Sequence, residues 1–240
     1  MPLSTALHRP HDNRLLALLP REDRERLLPY LEPITLARGA VLYAPGAPSA
    51  YLYCPTTAIV SLVYTMEDGI SAEMGLVGNE GVVGIALFLG GHTRVNHAIV
   101  QVAGRALRLG VAALHAEFQR GENVQQVLLR YTQALLTQVS QTAVCNQLHS
   151  IPQRLCRWLL FTCDRAPTDS ILMTHEFLAQ MLGIRRASVT TVAQHLQRVG
   201  AIHYRRGRLT LLDRPGLEAM VCECYGVVHT EFRRLLDSVP

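Results

Sequence analysis

LAQMLGIRRASVTTVAQHLQRVG, residues 178–200, decides how the rest of the chain is read. Apolar residues recur three and four apart on both sides of Gly183, which marks two short amphipathic helices hinged at a residue that tolerates a tight turn. A helix-turn-helix needs a small residue where its helices cross, a glycine between them, and aliphatic residues locking the second helix onto the first. Ala179, Gly183 and the pair Val189 and Val192 meet these demands; Leu196 and Val199 continue the stripe, and Thr174 stands where it can cap the first helix.

With that stripe facing inward, the advance of ~100° per helical residue turns Ala187, Thr190, Thr191, Gln194 and Arg198 outward, with Arg185 and Arg186 at the N-terminal end. In such motifs this end enters the major groove of DNA, where arginine bridges guanine O6 and N7 and alanine or threonine meets a thymine methyl. Arg186, Ala187, Thr190 and Thr191 are therefore the expected base-reading edge. The following AIHYRRGRLTLLD, residues 201–213, alternates about Arg206-Gly207 and predicts a hairpin, the wing of a winged helix-turn-helix. Its Arg205, Arg206 and Arg208, with Thr174, Arg185, Ser188, Gln194 and Arg198, are expected along the sugar-phosphate backbone.

Charge follows the same division. The net charge is +4, yet residues 174–214 hold seven arginines against Glu176 and Asp213, an excess of five in that segment alone. A basic patch by itself is most often a solvated face. Beside a helix-turn-helix it is the footprint expected where phosphates dock, because neutralising them releases counterions.

Upstream, from Tyr30 to about Leu109, short runs such as AVLY, YLYC, AIVSLVY, HAIVQV and RALRL alternate with Gly, Pro and Asn breaks, the signature of a compact β unit. Asp68-Gly69 marks a hairpin within it. NRLLALLPREDRERLLPYL, residues 13–31, predicts two short helices broken at Pro20 and covering one end of the barrel. Between Glu122 and His149, Val124, Val127, Leu128, Tyr131, Leu135, Val139, Thr142 and Cys145 recur at helical spacing, which predicts one long helix. An apolar stripe of that length needs a partner surface. A second copy of the helix supplies one, making these the expected dimerisation residues; burial against the chain's own barrel is the alternative. Ser150-Ile151-Pro152 interrupts it and opens another helix, QRLCRWLLFTC, and the stretch from Pro215 to Leu236 predicts a closing helix. The expected division is an N-terminal part over 1–120, the long helix over 121–149 and a DNA-binding part over 150–240.

The order of β-roll, long dimer helix, hinge and winged helix-turn-helix, an α+β architecture, resembles the Crp/Fnr family of bacterial transcription regulators. It does so from about Leu15 to Leu212 and most specifically in THEFLAQMLGIRRASVTTVAQHLQRVGAI, residues 174–202. The resemblance implies a cyclic-nucleotide-binding-like roll, a homodimer on a palindromic operator, a signal on the roll that repositions the DNA-binding parts, and contacts with RNA polymerase. Familiar members carry an Arg-Glu pair and a second arginine in the recognition helix; here Arg186 keeps the first, but Ala187 and Thr191 replace the other two. A different operator is expected.

The family's cyclic-nucleotide cassette places a glutamate at the ribose and an arginine at the phosphate. In GNEGVVGIALFLGGHTRVNHAIV, residues 78–100, Ile85 falls at the glutamate position and Asn96 and His97 at the Arg-Ser step, with Arg94 two residues away. A buried phosphate without a charged partner is costly, so cyclic AMP is not the expected ligand; Glu80, Ile85, Arg94, Asn96 and His97 remain candidates for a different effector. No cysteine precedes Cys54, against an iron-sulfur centre of the oxygen-sensing kind, and TMEDGIS offers neither thiol nor imidazole to a haem despite Pro2. Cys222-Glu223-Cys224 has the spacing of a metal or redox pair, but two ligands fall short of the four of a structural zinc site, so packing thiols and no metal are expected.

No export signal and no apolar run of membrane-spanning length is found, VVGIALFLGG from Val82 being too short, so a cytoplasmic protein with reduced thiols and no membrane partner is expected. The leading expectation is a dimeric regulator that binds double-stranded DNA. A constitutive binder whose roll is only a scaffold, and an effector-binding module or enzyme, are the alternatives. Against an enzyme, the β unit has no nucleophile motif and no paired-carboxylate step.

Overall fold

The computed structural model describes residues 12–91, 95–168 and 170–236. Two short helices, α1 (Arg14–Ala17) and α2 (Arg21–Leu27), precede seven strands: β1 (Leu31–Leu36), β2 (Val41–Tyr43), β3 (Tyr51–Pro55), β4 (Ile59–Thr65), β5 (Ser71–Val77), β6 (His97–Val102) and β7 (Gly104–Gly110). They form two antiparallel sheets, ordered β1-β7-β3 and β2-β6-β4-β5, whose inward residues Leu52, Cys54, Val60, Val77, Val100, Leu107 and Leu109 make one core. The β4–β5 hairpin turns at Asp68-Gly69, where Gly69 takes φ +82° and the Asp68 carboxylate accepts from Ile70 N at 3.0 Å. Leu15, Leu16, Leu19 and Leu27 plug one end of the roll. Asn13 fixes that plug: it is fully buried, donates to Pro55 O at 2.8 Å and Gly81 O at 2.9 Å, and caps α1 through Leu16 N.

Helix α3 (Val111–Gln119), absent from the sequence expectation, leads into α4 (Asn123–Leu148), which runs 26 residues. Here the expected dimer stripe is corrected. Val124, Val127, Leu128, Tyr131 and Leu135 are buried in the core of the same chain's roll, Thr142 is buried as well, and Val139 is half-buried. Tyr131 is 0% exposed, donates its hydroxyl to Val82 O at 3.0 Å, and lies so close over Gly81 that a Cβ there would collide with its ring. Gln138 accepts from Leu76 N at 2.6 Å, tying α4 to β5. The face left outward carries Leu129 (43% exposed), Leu136 (53%), Val144 and Leu148, with Gln133, Ser140 and Ala143 between them.

Ser150 opens α5 (Ile151–Arg165) with a capping box, its backbone N donating to Gln153 Oε1 at 3.0 Å, and Pro152 sits in the first turn, where a missing N–H costs nothing. Then come β8 (Ser170–Leu172), α6 (His175–Leu182), α7 (Arg186–Arg198), β9 (Ile202–Arg205), β10 (Arg208–Leu211), α8 (Arg214–Met220) and α9 (Cys224–Leu236), with a small sheet ordered β8-β10-β9. The closing helix of the sequence reading is thus two helices, broken at an extended Val221 (φ −79°, ψ 157°). Among the described residues no helix is long and apolar enough to cross a membrane.

Several polar contacts join α5 to the roll, among them Gln101 Nε2 of β6, which donates to Thr162 Oγ1 at 3.3 Å. Arg165 Nε donates to Glu80 Oε1 at 2.7 Å, and Trp158 Nε1 donates to Glu73 Oε1 at 2.9 Å. Burial pushes the Glu73 carboxyl up to about 7 from its ordinary 4.5, against the opposing pull of Ser61, Arg157, Trp158 and Arg165. Below about pH 4.5 the group is protonated in both folded and unfolded chains and favours neither; above about pH 7 the folded chain must hold it ionised. The unfolded chain binds fewer protons in between, so this group lowers stability as pH rises through that window. Glu73→Gln keeps the Trp158 hydrogen bond and removes the titration. The melting temperature of the variant is expected to gain several degrees on the parent between pH 5 and pH 8, whereas parallel profiles would refute the assignment.

Candidate nucleic-acid interface

Thr174 caps α6 by accepting from Phe177 N at 3.1 Å, and Gly183 ends the helix in the left-handed region at φ +61°, which glycine adopts without a Cβ clash. Ala179 lies buried at the crossing, and α7 returns across α6 on Val189, Val192, Ala193 and Leu196, spaced three, one and three apart. Val199, expected in this stripe, is 51% exposed because α7 ends at Arg198 and the chain turns away. Leu178, Met181, Leu182, Val189 and Leu196 join Leu155, Trp158 and Leu159 of α5 in a second core.

Burial on one side leaves a defined outer side. Arg185, at the N-cap of α7, and Arg186, Ala187, Thr191, Gln194 and Arg198 are exposed, and Ser188 and Thr190 are half-buried. Thr190 and Thr191 donate their hydroxyls to the carbonyls of Arg186 and Ala187, each at 3.1 Å. The wing turns on Arg206 (φ +51°) and Gly207 (φ +75°), the two positive φ values of the hairpin turn that matches strand twist. Arg205 and Arg208 pair across it, and Arg205, Arg206 and Arg208 are exposed.

Helix and wing are braced as one unit by residues that the sequence reading passed over. His175 Nδ1 lies 3.0 Å from Thr190 Oγ1. The hydroxyl proton is already given to Arg186 O, so the imidazole is the donor in that bond. The same ring stacks on Tyr204 of the wing at 4.4 Å, and Tyr204 donates its hydroxyl to Met173 O at 2.7 Å. Gln197 Oε1 accepts from Tyr204 N at 2.7 Å. Burial, with Arg186 beside it, holds the His175 imidazole below its ordinary pKa and keeps it neutral. Arg165, Arg214 and Arg234 elsewhere sit against carboxylates, but Arg185, Arg186, Arg198, Arg205 and Arg206 make no ion pair among the described residues.

Comparison with known proteins gives this arrangement its context. Residues 153–220 match the model of the Crp-like helix-turn-helix domain, and residues 33–120 match that of the cyclic nucleotide-binding domain. The chain belongs to the Crp/Fnr family. The global nitrogen regulator of Nostoc sp. is 20% identical over 186 residues, covering 74% of this chain and 83% of that one. Its counterpart from Synechococcus elongatus is 21% identical over 212 residues, 85% of this chain and 95% of that one. A crystal structure of a transcriptional regulator of the Crp/Fnr family from Eubacterium rectale shares the fold at a TM-score of 0.69, with 14% identity over 88% of this chain and 98% of that one. The chain is a Crp/Fnr-type transcription regulator with a helix-turn-helix DNA-binding domain.

Within this Crp/Fnr roll the candidate effector residues do not converge. Glu80 faces α5 instead of the roll interior; it is held by Arg165 and by Gly78 N, and lines a cleft of about 450 Å³ that α1, α5, α8 and α9 wall with Arg14, Asp164, Arg214 and Arg233. Ile85, Asn96 and His97 do not line that cleft. Ile85 packs on the core from a 3-10 turn, Asn96 donates to the Tyr43 hydroxyl at 3.5 Å, and His97 opens β6 with a buried Nδ1 that has no partner among the described residues. Arg94 lies outside the described residues, as does Pro2. Where α4 closes the roll, a cavity of about 20 Å³ is lined by aliphatic residues and Cys54. Cys222 and Cys224, read as an isolated pair, stand at the break between α8 and α9, where they meet Cys145 and His149 from the end of α4.

Arg206 is the one non-glycine residue at positive φ among the described residues, a conformation that costs about 1 kcal/mol or more for an L side chain with a Cβ. Arg206→Asn, which suits the first position of this turn, is expected to raise stability by about 1 kcal/mol in urea unfolding. A lower midpoint would show that the arginine side chain stabilises the wing.

Proposed function

We propose that this regulator acts as a homodimer that reads a two-fold-symmetric operator in double-stranded DNA with the N-terminal end of α7. The observation that carries the reading is the braced recognition unit, in which buried Val189, Val192 and Leu196 fix the helix while arginines that make no ion pair among the described residues face outward at its start and on the wing. Arg186, Ala187, Thr190 and Thr191 are the base-reading edge. Thr190 and Thr191, whose hydroxyl protons are spent on the helix backbone, offer methyl groups and lone pairs to the groove. Arg185, Ser188, Gln194, Arg198, Arg205, Arg206 and Arg208 take the phosphates, and Thr174 adds a helix N-terminus beside them.

The outward stripe of α4 supports the homodimer. Leu129, Gln133, Leu136, Ser140, Val144 and Leu148 follow one another at intervals of three and four, the seam spacing of paired helices. A symmetric pairing along it gives each half-site its own α7. The filled roll supports control by a signal other than cyclic AMP, because Tyr131 and leucine side chains occupy the space between barrel and α4. It equally favours the constitutive reading, in which operator affinity stays constant when nucleotides and metabolites are added. Contact with RNA polymerase and a cytoplasmic location are part of the same reading, and the family match supports them.

Selection of bound sequences from random DNA supplies the operator for the decisive comparison. Arg186→Ala is expected to cost about 1–3 kcal/mol in binding to that operator and to leave binding to unrelated duplex nearly unchanged. Equal losses on both would remove Arg186 as a base reader. Leu136→Glu places a carboxylate at the centre of the paired seam and is expected to convert a dimer into a folded monomer in sedimentation velocity. A variant that remains dimeric would exclude this face.

A further inference from the structure

We propose that Cys145, His149, Cys222 and Cys224 bind one zinc ion that clamps the end of α4 to the link between α8 and α9. Four ligand atoms, one from each residue, lie within 4.8 Å of one another. Cys145 Sγ stands 3.6 Å from Cys222 Sγ, and Cys224 Sγ stands 3.5 Å from His149 Nδ1. A tetrahedral zinc with Zn–S of about 2.3 Å and Zn–N of about 2.05 Å has S···S edges of about 3.8 Å and S···N edges of about 3.5 Å. These two separations match two edges of that tetrahedron, and the remaining pairs of ligand atoms lie within 4.8 Å. Three thiolates and an imidazole form a Cys₃His set, and full occupation of the shell by protein makes the site structural. An iron-sulfur cluster spreads its thiolates over different irons and needs a wider cage.

Local sequence explains how each donor arrives. Cys145 and His149 are four apart and so share one face at the end of α4, His149 being its C-cap. The extended backbone at Val221 lets Cys222 and Cys224 approach from the other side. The three cysteines form a buried cluster of their own.

Two further observations fit an ion at that point. Glu223 Oε2 lies 3.3 Å from His149 Nε2, so the carboxylate takes the far side of the ring and leaves Nδ1 for the metal, the second-shell arrangement that orients a ligating histidine. Arg157 is 4% exposed, and its Nε, like that of Arg154, is buried without a hydrogen-bond partner among the described residues; both guanidinium groups act electrostatically on Cys145. Binding releases three thiol protons to solvent, and three thiolates with Zn²⁺ carry one net negative charge, opposite in sign to those two guanidinium groups. His149 is the hinge residue between α4 and the capping box of α5, so the ion fixes the angle at which the DNA-binding part leaves the long helix. That consequence rests on the function proposed above; zinc binding itself does not.

The test uses the full-length chain purified under reducing conditions from zinc-supplemented cells. One zinc per chain by elemental analysis is expected, and cobalt exchanged into the site should give thiolate-to-cobalt charge transfer with the d–d bands of tetrahedral coordination. Cys222→Ser and His149→Ala should each fall from one equivalent to none, and Cys54→Ala, buried in the roll, should keep the full equivalent. Should a ligand variant misfold, chelation of the wild-type chain gives the same answer, with loss of zinc and a lower melting temperature. Failure of the reduced protein to take up zinc, retention of zinc by the ligand variants, or iron-sulfur absorption in anaerobically purified protein would each overturn the proposal. A Cys145–Cys222 disulfide in a chain that takes up no metal would do the same. If zinc binds but its removal leaves operator affinity unchanged, the site stands and its link to DNA binding falls.

Discussion

The rest of the structure depends on the burial of one face of α4 in its own roll. Tyr131, fully enclosed and seated on a glycine, is the tightest point of that contact, and Gln138 bonds the helix to β5 further along. Burying a large aromatic and several aliphatic side chains in this way contributes on the order of 1.5–3 kcal/mol for each. A helix face committed so strongly is no longer available for other partners. The orientation of α4 then determines what is left over, namely the Leu129–Leu136 face on one side and the Cys145–His149 end beside the hinge.

The DNA-binding part is held against the roll by more than its hinge. Arg165 and Trp158 of α5 reach Glu80 and Glu73. Beyond them, a Cβ on Gly183 would lie 3.6 Å from that of Ala72 on β5, and Arg38 lies over the Phe177 ring at 5.6 Å. The turn of the helix-turn-helix therefore rests on the β4–β5 hairpin. Small shifts of that hairpin bear directly on α6, and through the Ala179 crossing on α7. The bonds from His175 and Gln197 make α7 and the wing move together.

What could be read from the sequence was what local chemistry enforces. Gly183 and Arg206-Gly207 announce turns because each requires positive φ, and the Val189–Leu196 stripe announces a buried helix face because only one rotation of α7 hides it. Periodicity identifies which residues are buried but not what buries them. That is why the stripe from Val124 to Thr142 points first to a second copy, with the chain's own barrel as the alternative, and it is the folded chain that gives Val124 to Leu135 to the roll. The break at Val221 carries neither glycine nor proline, and so the closing helix read as continuous. The four-ligand cluster joins residues 77 apart in sequence, a proximity that only the folded chain creates. Glu80, Ile85 and Asn96 were grouped by threading one cassette, yet they separate because Glu80 is drawn out of the roll by Arg165.

In the proposed dimer, two recognition helices placed by a symmetric α4 seam would meet DNA on one face, at successive turns of the same groove. Hydroxyl-radical footprinting of the wild-type protein on its selected duplex measures this directly. Two protected patches centred about one helical turn apart (~34 Å) and related by the operator's two-fold axis are the expected result. A single patch, or two patches whose spacing varies from one selected site to another, would contradict a rigid dimer that reads DNA through α7.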